Sequence, residues 1–303
     1  MRFVRVLVCT IASAWLIAGC GSAHPLASPP ASAATANAAA PPNHPTAATS
    51  APAASKPKPK PPADPTLSLG TTSPAVLRLQ QLLAVTHYLP LRWQPADAAS
   101  APAPNSLAAL ARPPAGHWTW AYPDVPSGLR SFWDPGTYTV LTEGAVMAFE
   151  HDHGLAVDGI AGPHVWRALL QAAARHQVDT AGYSYVSIRE SSPEMLSLWS
   201  NGKIVLTSET NTGIAASPTA IGTWPVYARF VSQDMKGTDP NGQPYNDPNV
   251  PYVNYFHGGD AIHGFVRASY GYPQSLGCAE LPVPAAAKAW HYIQYGTLVT
   301  VET

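Results

Sequence analysis

Larger apolar residues change their spacing three times along the chain, and each change predicts a different kind of segment. From Val6 to Ala18 they form a run behind a short basic head, Met1-Arg2-Phe3-Val4-Arg5. The run is shorter than the roughly 20 apolar residues of a spanning helix and fits a secretory signal over residues 1–19. From residue 20 to 65 Ala, Pro, Ser, Thr and Asn dominate. Such a segment buries too little apolar surface to offset its ordering entropy, which predicts a disordered tether. Lys56-Pro57-Lys58-Pro59-Lys60 adds polyproline stiffness and like-charge repulsion.

A helical period follows. Val76, Leu79 and Leu83 fall on one helical face, as do Val146 and Phe149. Ser73-Pro74 reads as a capping residue ahead of Pro at the first helical position. Asp158-Gly159 marks a turn, and Gly162-Pro163 opens a third short helix through Trp166 and Leu169. From Ser184 onward the pattern alternates and breaks at turns. Asn201-Gly202, between two short apolar runs, predicts a two-residue hairpin, and Trp224–Tyr227 and Leu298–Val301 read as strands. The expected fold is α+β and multidomain: a small three-helix module over residues 66–175, with an insertion over 91–139, then a mainly β domain over 184–303.

Charge narrows the possible functions. Lys and Arg number 17 against 18 Asp and Glu, with no basic stripe, which argues against nucleic acid as a partner. The three cysteines are Cys9 in the signal, Cys20 at its end, and Cys278. If the first two are removed or lipidated, the mature chain keeps one thiol. It cannot form an internal disulfide, so it is either buried and inert or kept for reactivity. No cofactor and no metal is expected. His151-Asp152-His153 places its side chains on different faces and reads as solvated surface. His257 and His263 invite a zinc-peptidase reading, but a third ligand at a familiar spacing is missing and Cys278 is left unused.

His263 stands in Ile262-His263-Gly264, fifteen positions before Cys278 in Ser275-Leu276-Gly277-Cys278-Ala279-Glu280-Leu281. A reactive thiol needs a group that takes its proton, and a nearby imidazole can do so. A glycine before the nucleophile lets a carbonyl approach closely, where backbone N–H groups stabilise an oxyanion.

Three resemblances add to this reading. Ile17-Ala18-Gly19-Cys20 resembles the lipobox of bacterial lipoproteins, which implies lipidation of Cys20. The protein would then be extracytoplasmic, anchored to the outer face of the cytoplasmic membrane and reaching the cell wall. Val76, Leu79-Gln80 and Leu83, with Ala145-Val146, Phe149, Gly154-Leu155, Val157-Asp158-Gly159, Gly162-Pro163, Trp166 and Leu169, resemble the peptidoglycan-binding domain type 1. The insertion departs from that pattern. Its Trp93, Trp118, Trp120 and Trp133 are expected to pack locally rather than stack on sugar.

Asn211-Thr212-Gly213, Ser217–Trp224, Ile262-His263-Gly264, Ser275-x-Gly-Cys278 and Tyr295–Val301 together resemble the YkuD-like L,D-transpeptidase catalytic domain. The resemblance implies Cys278 as nucleophile, His263 as its base, and the Gly277 and Cys278 N–H groups as oxyanion donors. Ser275, Tyr255 and Gly264 would bind substrate. The implied reaction is acyl transfer between peptidoglycan stem peptides through a cysteine thioester, giving 3→3 cross-links, with carbapenem-type β-lactams as inhibitors. Hydrolysis would make it an L,D-carboxypeptidase, and loss of activity a lipid-tethered peptidoglycan-binding protein. Two departures stand out: Leu276 where the family has His, and Glu280 where it has Arg or Asn. A carboxylate at position 280 is expected to raise the thiol's pKa.

Overall fold

A computed structural model describes residues 64–97 and 107–303 of the chain. The signal, Cys20 and the tether as far as residue 63 lie outside the described residues. Three helices form the first part: α1 (Pro74–Val85), α3 (Val140–Asp152) and α4 (Pro163–Ala174). Helix α1 starts as its sequence dictates, with Ser73 accepting from the Val76 N–H and Pro74 at the first helical position. Val76, Leu79, Leu83, Val146, Phe149, Trp166 and Leu169 are all buried in the shared core of these helices.

Between α1 and α3 the insertion builds structure of its own. Strands β1 (Leu91–Pro95) and β2 (Gly116–Trp120) pair antiparallel with Trp93 opposite Trp118, and a short helix α2 (Ser127–Ser131) follows. Trp118 lies 4.7 Å from Trp133 and 6.5 Å from Trp93, centroid to centroid, and Trp120 sits under the Arg130 guanidinium. The tryptophans therefore pack locally, as expected. Buried Gln80 ties the insertion to α1: its amide donates to the carbonyls of Asp134 and Thr137 and accepts from the Gly136 N–H. These groups would otherwise be unpaired polar atoms beneath the helix.

The remaining elements form two sheets. Strands β3 (Ser184–Arg189), β4 (Met195–Ser200), β5 (Lys203–Glu209), β6 (Gly222–Pro225) and β11 (Leu298–Glu302) make a sheet ordered β5-β4-β3-β11-β6. Strands β7 (Ala228–Thr238), β8 (Pro244–His257), β9 (Asp260–Gly264) and β10 (Ala279–Leu281) make the second, ordered β10-β9-β8-β7, with helix α5 (Val283–Trp290) against it. The β4–β5 hairpin turns on Asn201 (φ 49°) and Gly202 (φ 93°), the left-handed pair that a two-residue hairpin requires. Val186, Ile188, Leu198 and Val299 from one sheet meet Phe256, Ile262 and Leu281 from the other in a second core.

The helical core does not stop at the last helix. Tyr183, Tyr185, Trp199 and Leu298, from the first sheet and its approach, belong to the same cluster as the helices. Gly144 of α3 meets Gly296 backbone to backbone, and a Cβ on Gly296 would run into the Gly144 carbonyl oxygen. His151 stacks on Tyr295 at 4.1 Å, Asp152 accepts from Tyr88 Oη at 3.0 Å, and His153 stacks on Phe149. His151 and Asp152 stay exposed, at 48% and 44% of their side chains, as expected of solvated surface, while their edges touch the sheet where α3 ends.

Candidate active site

Strands β9 and β10 are parallel, with Ala279 opposite Ile262 and Glu280 opposite His263. Side chains two apart share a face of a strand, so Cys278 and Glu280 point to the same side as His263. That face opens on a cavity of about 540 Å³, lined also by Tyr255, Asp260, Phe265, Arg267, Ser275 and Leu276. Gln233–Lys236 of β7, with Tyr245 and Asp247 of β8, form its opposite wall.

His263 is 2% exposed, and its Nδ1 lies 3.1 Å from the Gly264 carbonyl oxygen. A carbonyl can only accept, so Nδ1 carries the proton of the neutral ring and Nε2 keeps a lone pair. Burial holds its pKa below the ordinary histidine range, opposed by the Gly264 carbonyl and the Glu280 charge. The imidazole is therefore neutral at pH 7.

Cys278 is half-buried, and its Sγ donates to the Gly259 carbonyl across 3.8 Å. Burial pushes the thiol up to about 12. The negative charges of Asp260 and Glu280 push the same way, and a backbone hydrogen bond from Ala261 opposes them. The resting pair is thiol and imidazole, both uncharged.

The turn before the thiol is held by one hydroxyl. Ser275 Oγ donates to the Cys278 carbonyl at 2.6 Å and accepts from the Gly277 N–H at 3.2 Å. Gly277 has φ +117°, and a Cβ there would stand 2.5 Å from Asp260 Oδ1, so only glycine fits. Leu276 turns outward, 37% exposed at the cavity rim, while its carbonyl accepts from Ser217 Oγ.

Comparison with known families agrees with this geometry. Residues 183–301 match the model of the L,D-transpeptidase catalytic domain (YkuD). Over these residues the chain resembles an L,D-transpeptidase catalytic domain. Residues 129–169 match a peptidoglycan binding domain, the part of the helical module whose sequence is most specific. Among solved structures the chain is similar to an L,D-transpeptidase from Mycobacterium smegmatis (18% identity, 40% of this chain and 59% of that one, TM-score 0.37). It is also similar to the catalytic domain of an E. faecium L,D-transpeptidase (24% identity, 41% of this chain and 99% of that one, TM-score 0.36). A third is L,D-transpeptidase 3 from Mycobacterium tuberculosis (16% identity, 40% of this chain and 62% of that one, TM-score 0.37). The chain thus spans about three-fifths of the mycobacterial proteins it resembles. No curated protein matches it.

Within the matched residues, Cys278, His263, Ser275 and Tyr255 line one cavity. Three of the expected site residues have further contacts. The Ser275 hydroxyl, expected to meet substrate, is engaged within its own turn by the Cys278 carbonyl and the Gly277 N–H. The Gly277 N–H, expected as an oxyanion donor, is the group that meets Ser275 Oγ at 3.2 Å. Gly264 lies off the cavity; a Cβ there would touch Pro251, Ala286 and Val283, and its carbonyl orients His263.

Glu280 does raise the thiol's pKa, but less directly than a lone carboxylate would. Both its oxygens meet the Arg267 guanidinium, at 2.7 and 2.8 Å, and Asn211 Nδ2 adds a third contact at 3.3 Å. Arg267 was not singled out in the sequence, although a carboxylate bound for a buried strand implies a counter-ion nearby. Asp260 was missed as well. His257 packs on Trp224 at 4.4 Å and faces Asp260, whereas His263 faces Gly264, so the two do not converge. Among the described residues there is no group of three or more His, Cys, Asp or Glu able to hold a metal ion. Nor is any helix among them long and apolar enough to cross a membrane.

Proposed function

We propose that this protein is a cell-wall L,D-transpeptidase that works through a thioester on Cys278. The observation that carries the reading is a thiol and a neutral imidazole on one face of adjacent parallel strands, both opening on a single cavity. His263 Nε2 takes the thiol proton as Sγ attacks the carbonyl of the third residue of a tetrapeptide stem, at its L-configured centre. The C–S bond forms, the bond to terminal D-alanine breaks, and the imidazolium returns its proton to the leaving amine. Because both groups rest uncharged, proton transfer accompanies attack rather than preceding it. Oxyanion stabilisation falls to the Cys278 N–H, that of Gly277 being held by Ser275.

Capture of the acyl group by a stem amine gives a 3→3 cross-link, and capture by water gives L,D-carboxypeptidase activity. A lipid on the lipobox-like Cys20 would hold the enzyme at the outer face of the cytoplasmic membrane. Intact-mass spectrometry with disaccharide-tetrapeptide, beside Cys278→Ala, tests the mechanism. The expected result is an acyl adduct or release of D-alanine with the unsubstituted protein alone. A carbapenem is expected to add one acyl equivalent to Cys278 and none to the Ala variant, read from the same spectra.

Leu276 at the rim and the high thiol pKa favour a second reading, a tethered wall-binding protein without turnover. Such a protein would bind sacculi equally well with Cys278→Ala and form no adduct.

A further inference from the structure

Beside the thiol stands a carboxylate that the mechanism above does not use. Asp260 opens β9 and lines the cavity with Cys278, its side chain 16% exposed. Its contacts fall on one oxygen: Oδ2 accepts from the Ala220 N–H at 3.1 Å and lies 3.6 Å from His257 Nδ1. Oδ1 has no hydrogen-bond partner among the described residues and is the oxygen directed at Gly277, the residue before the nucleophile. The neighbouring Gly259 carbonyl accepts from Sγ, and the Ala261 N–H is the donor on the same side of the sulfur. The other charges on the cavity do not offset Asp260, since Arg267 is engaged by Glu280 and Lys236 faces Asp234.

A free carboxylate oxygen next to a thiol is unfavourable for a thiolate but suited to an ammonium arriving at a neutral thioester. We propose that Asp260 is the docking and deprotonating residue for the acceptor: a primary ammonium group of a second stem pairs with Oδ1 beside the acylated Cys278. This rests on the acyl-transfer reading of the same cavity. Asp260 takes one proton from the ammonium, and the freed amine lone pair forms the C–N bond to the thioester carbonyl. Collapse breaks the C–S bond, its electron pair leaves on sulfur, and the second proton of the attacking nitrogen passes through His263 to that thiolate. Asp260 then releases its proton to solvent. Water is neutral and is not drawn to the carboxylate's charge as an ammonium is, so docking at Asp260 biases the partition toward cross-linking.

The test compares Cys278 modification rates with three methanethiosulfonates on the full chain: 2-aminoethyl (cationic), methyl (neutral) and 2-sulfonatoethyl (anionic). The native protein is expected to prefer the cationic over the neutral reagent. Asp260→Asn, which keeps the acceptor for Ala220 N–H, should cut that ratio by about three- to tenfold, whereas Asp247→Asn on the far wall should change it less. With tetrapeptide and an amine acceptor, Asp260→Asn should also shift products from cross-linked to hydrolysed by at least about threefold. An unchanged ratio in Asp260→Asn, or an equal loss in Asp247→Asn, overturns the assignment while leaving the nucleophile intact. Failure of Cys278 to react even with the neutral reagent brings down the acyl-transfer reading and this proposal with it. Matching melting temperatures of the variants keep folding out of the comparison.

Discussion

At Cys278, burial and charge act in the same direction. Desolvation pushes the thiol up to about 12, and the charges of Asp260 and Glu280 add to it, while burial keeps His263 neutral. The reactive thiolate is then a minor species at every pH below that value. Alkylation by iodoacetamide should climb roughly tenfold per pH unit between pH 7 and 10, because thiolate fraction sets the rate. A plateau near neutrality would instead signal a preformed thiolate–imidazolium pair. Arg267 belongs to the same balance. Its removal strands a carboxylate that is 5% exposed. Arg267→Ala is expected to cost about 2–3 kcal/mol, less than a fully buried pair because the guanidinium is partly solvated. Glu280→Gln should cost less, and thermal or urea unfolding checks the order. Cys278 and His263 were legible in the sequence because a motif carries them. Arg267 and Asp260 were not, since each acquires its partner from a strand register and a turn that no local spacing encodes.

The helices of the module are held by a buried carboxylate at the α3–α4 turn. Glu150 Oε2 accepts from the Asp158 and Gly159 N–H groups, and Gly159 takes φ 67° to present them. Burial is the leading cause that raises Glu150 to about 8, with the charge of Asp158 adding and the two N–H groups opposing. The folded pKa thus lies above the unfolded value of 4.5. Stability that is full below pH 4.5 declines as the unfolded chain ionises, and the loss is complete once pH passes the folded value. Glu150→Gln should flatten that slope, narrowing the difference in unfolding free energy between pH 5 and 8 by on the order of 1–2 kcal/mol. Asp158-Gly159 was readable as a turn from its residue types alone. That Glu150 reaches across to cap it was not, because the contact depends on where α3 ends.

Across the whole folded part, the sequence suggested a boundary between residues 175 and 184, yet one apolar cluster runs through it. Tyr183, Tyr185, Trp199 and Leu298 are buried with the helices, and Tyr122 meets Trp199 edge-on at 5.8 Å. A chain beginning at residue 184 would expose this face, and is expected to melt several degrees lower than residues 64–303 or to aggregate, as scanning calorimetry and light scattering would report. A chain that melts at the same temperature would show that the shared cluster contributes little. The hydrophobic period alone determined the three helices, the hairpin at Asn201-Gly202 and the strand-rich second half, because amphipathic spacing and turn chemistry are local properties. Residue identity also marked the thiol and the imidazole. Only the tertiary structure decided that Ser275 binds within the turn before Cys278, that Glu280 is neutralised by Arg267, that Asp260 borders the sulfur, and that the helical module and the sheets share a core. Each of these depends on atoms brought together from distant parts of the chain, where burial sets both the charge state and the contact.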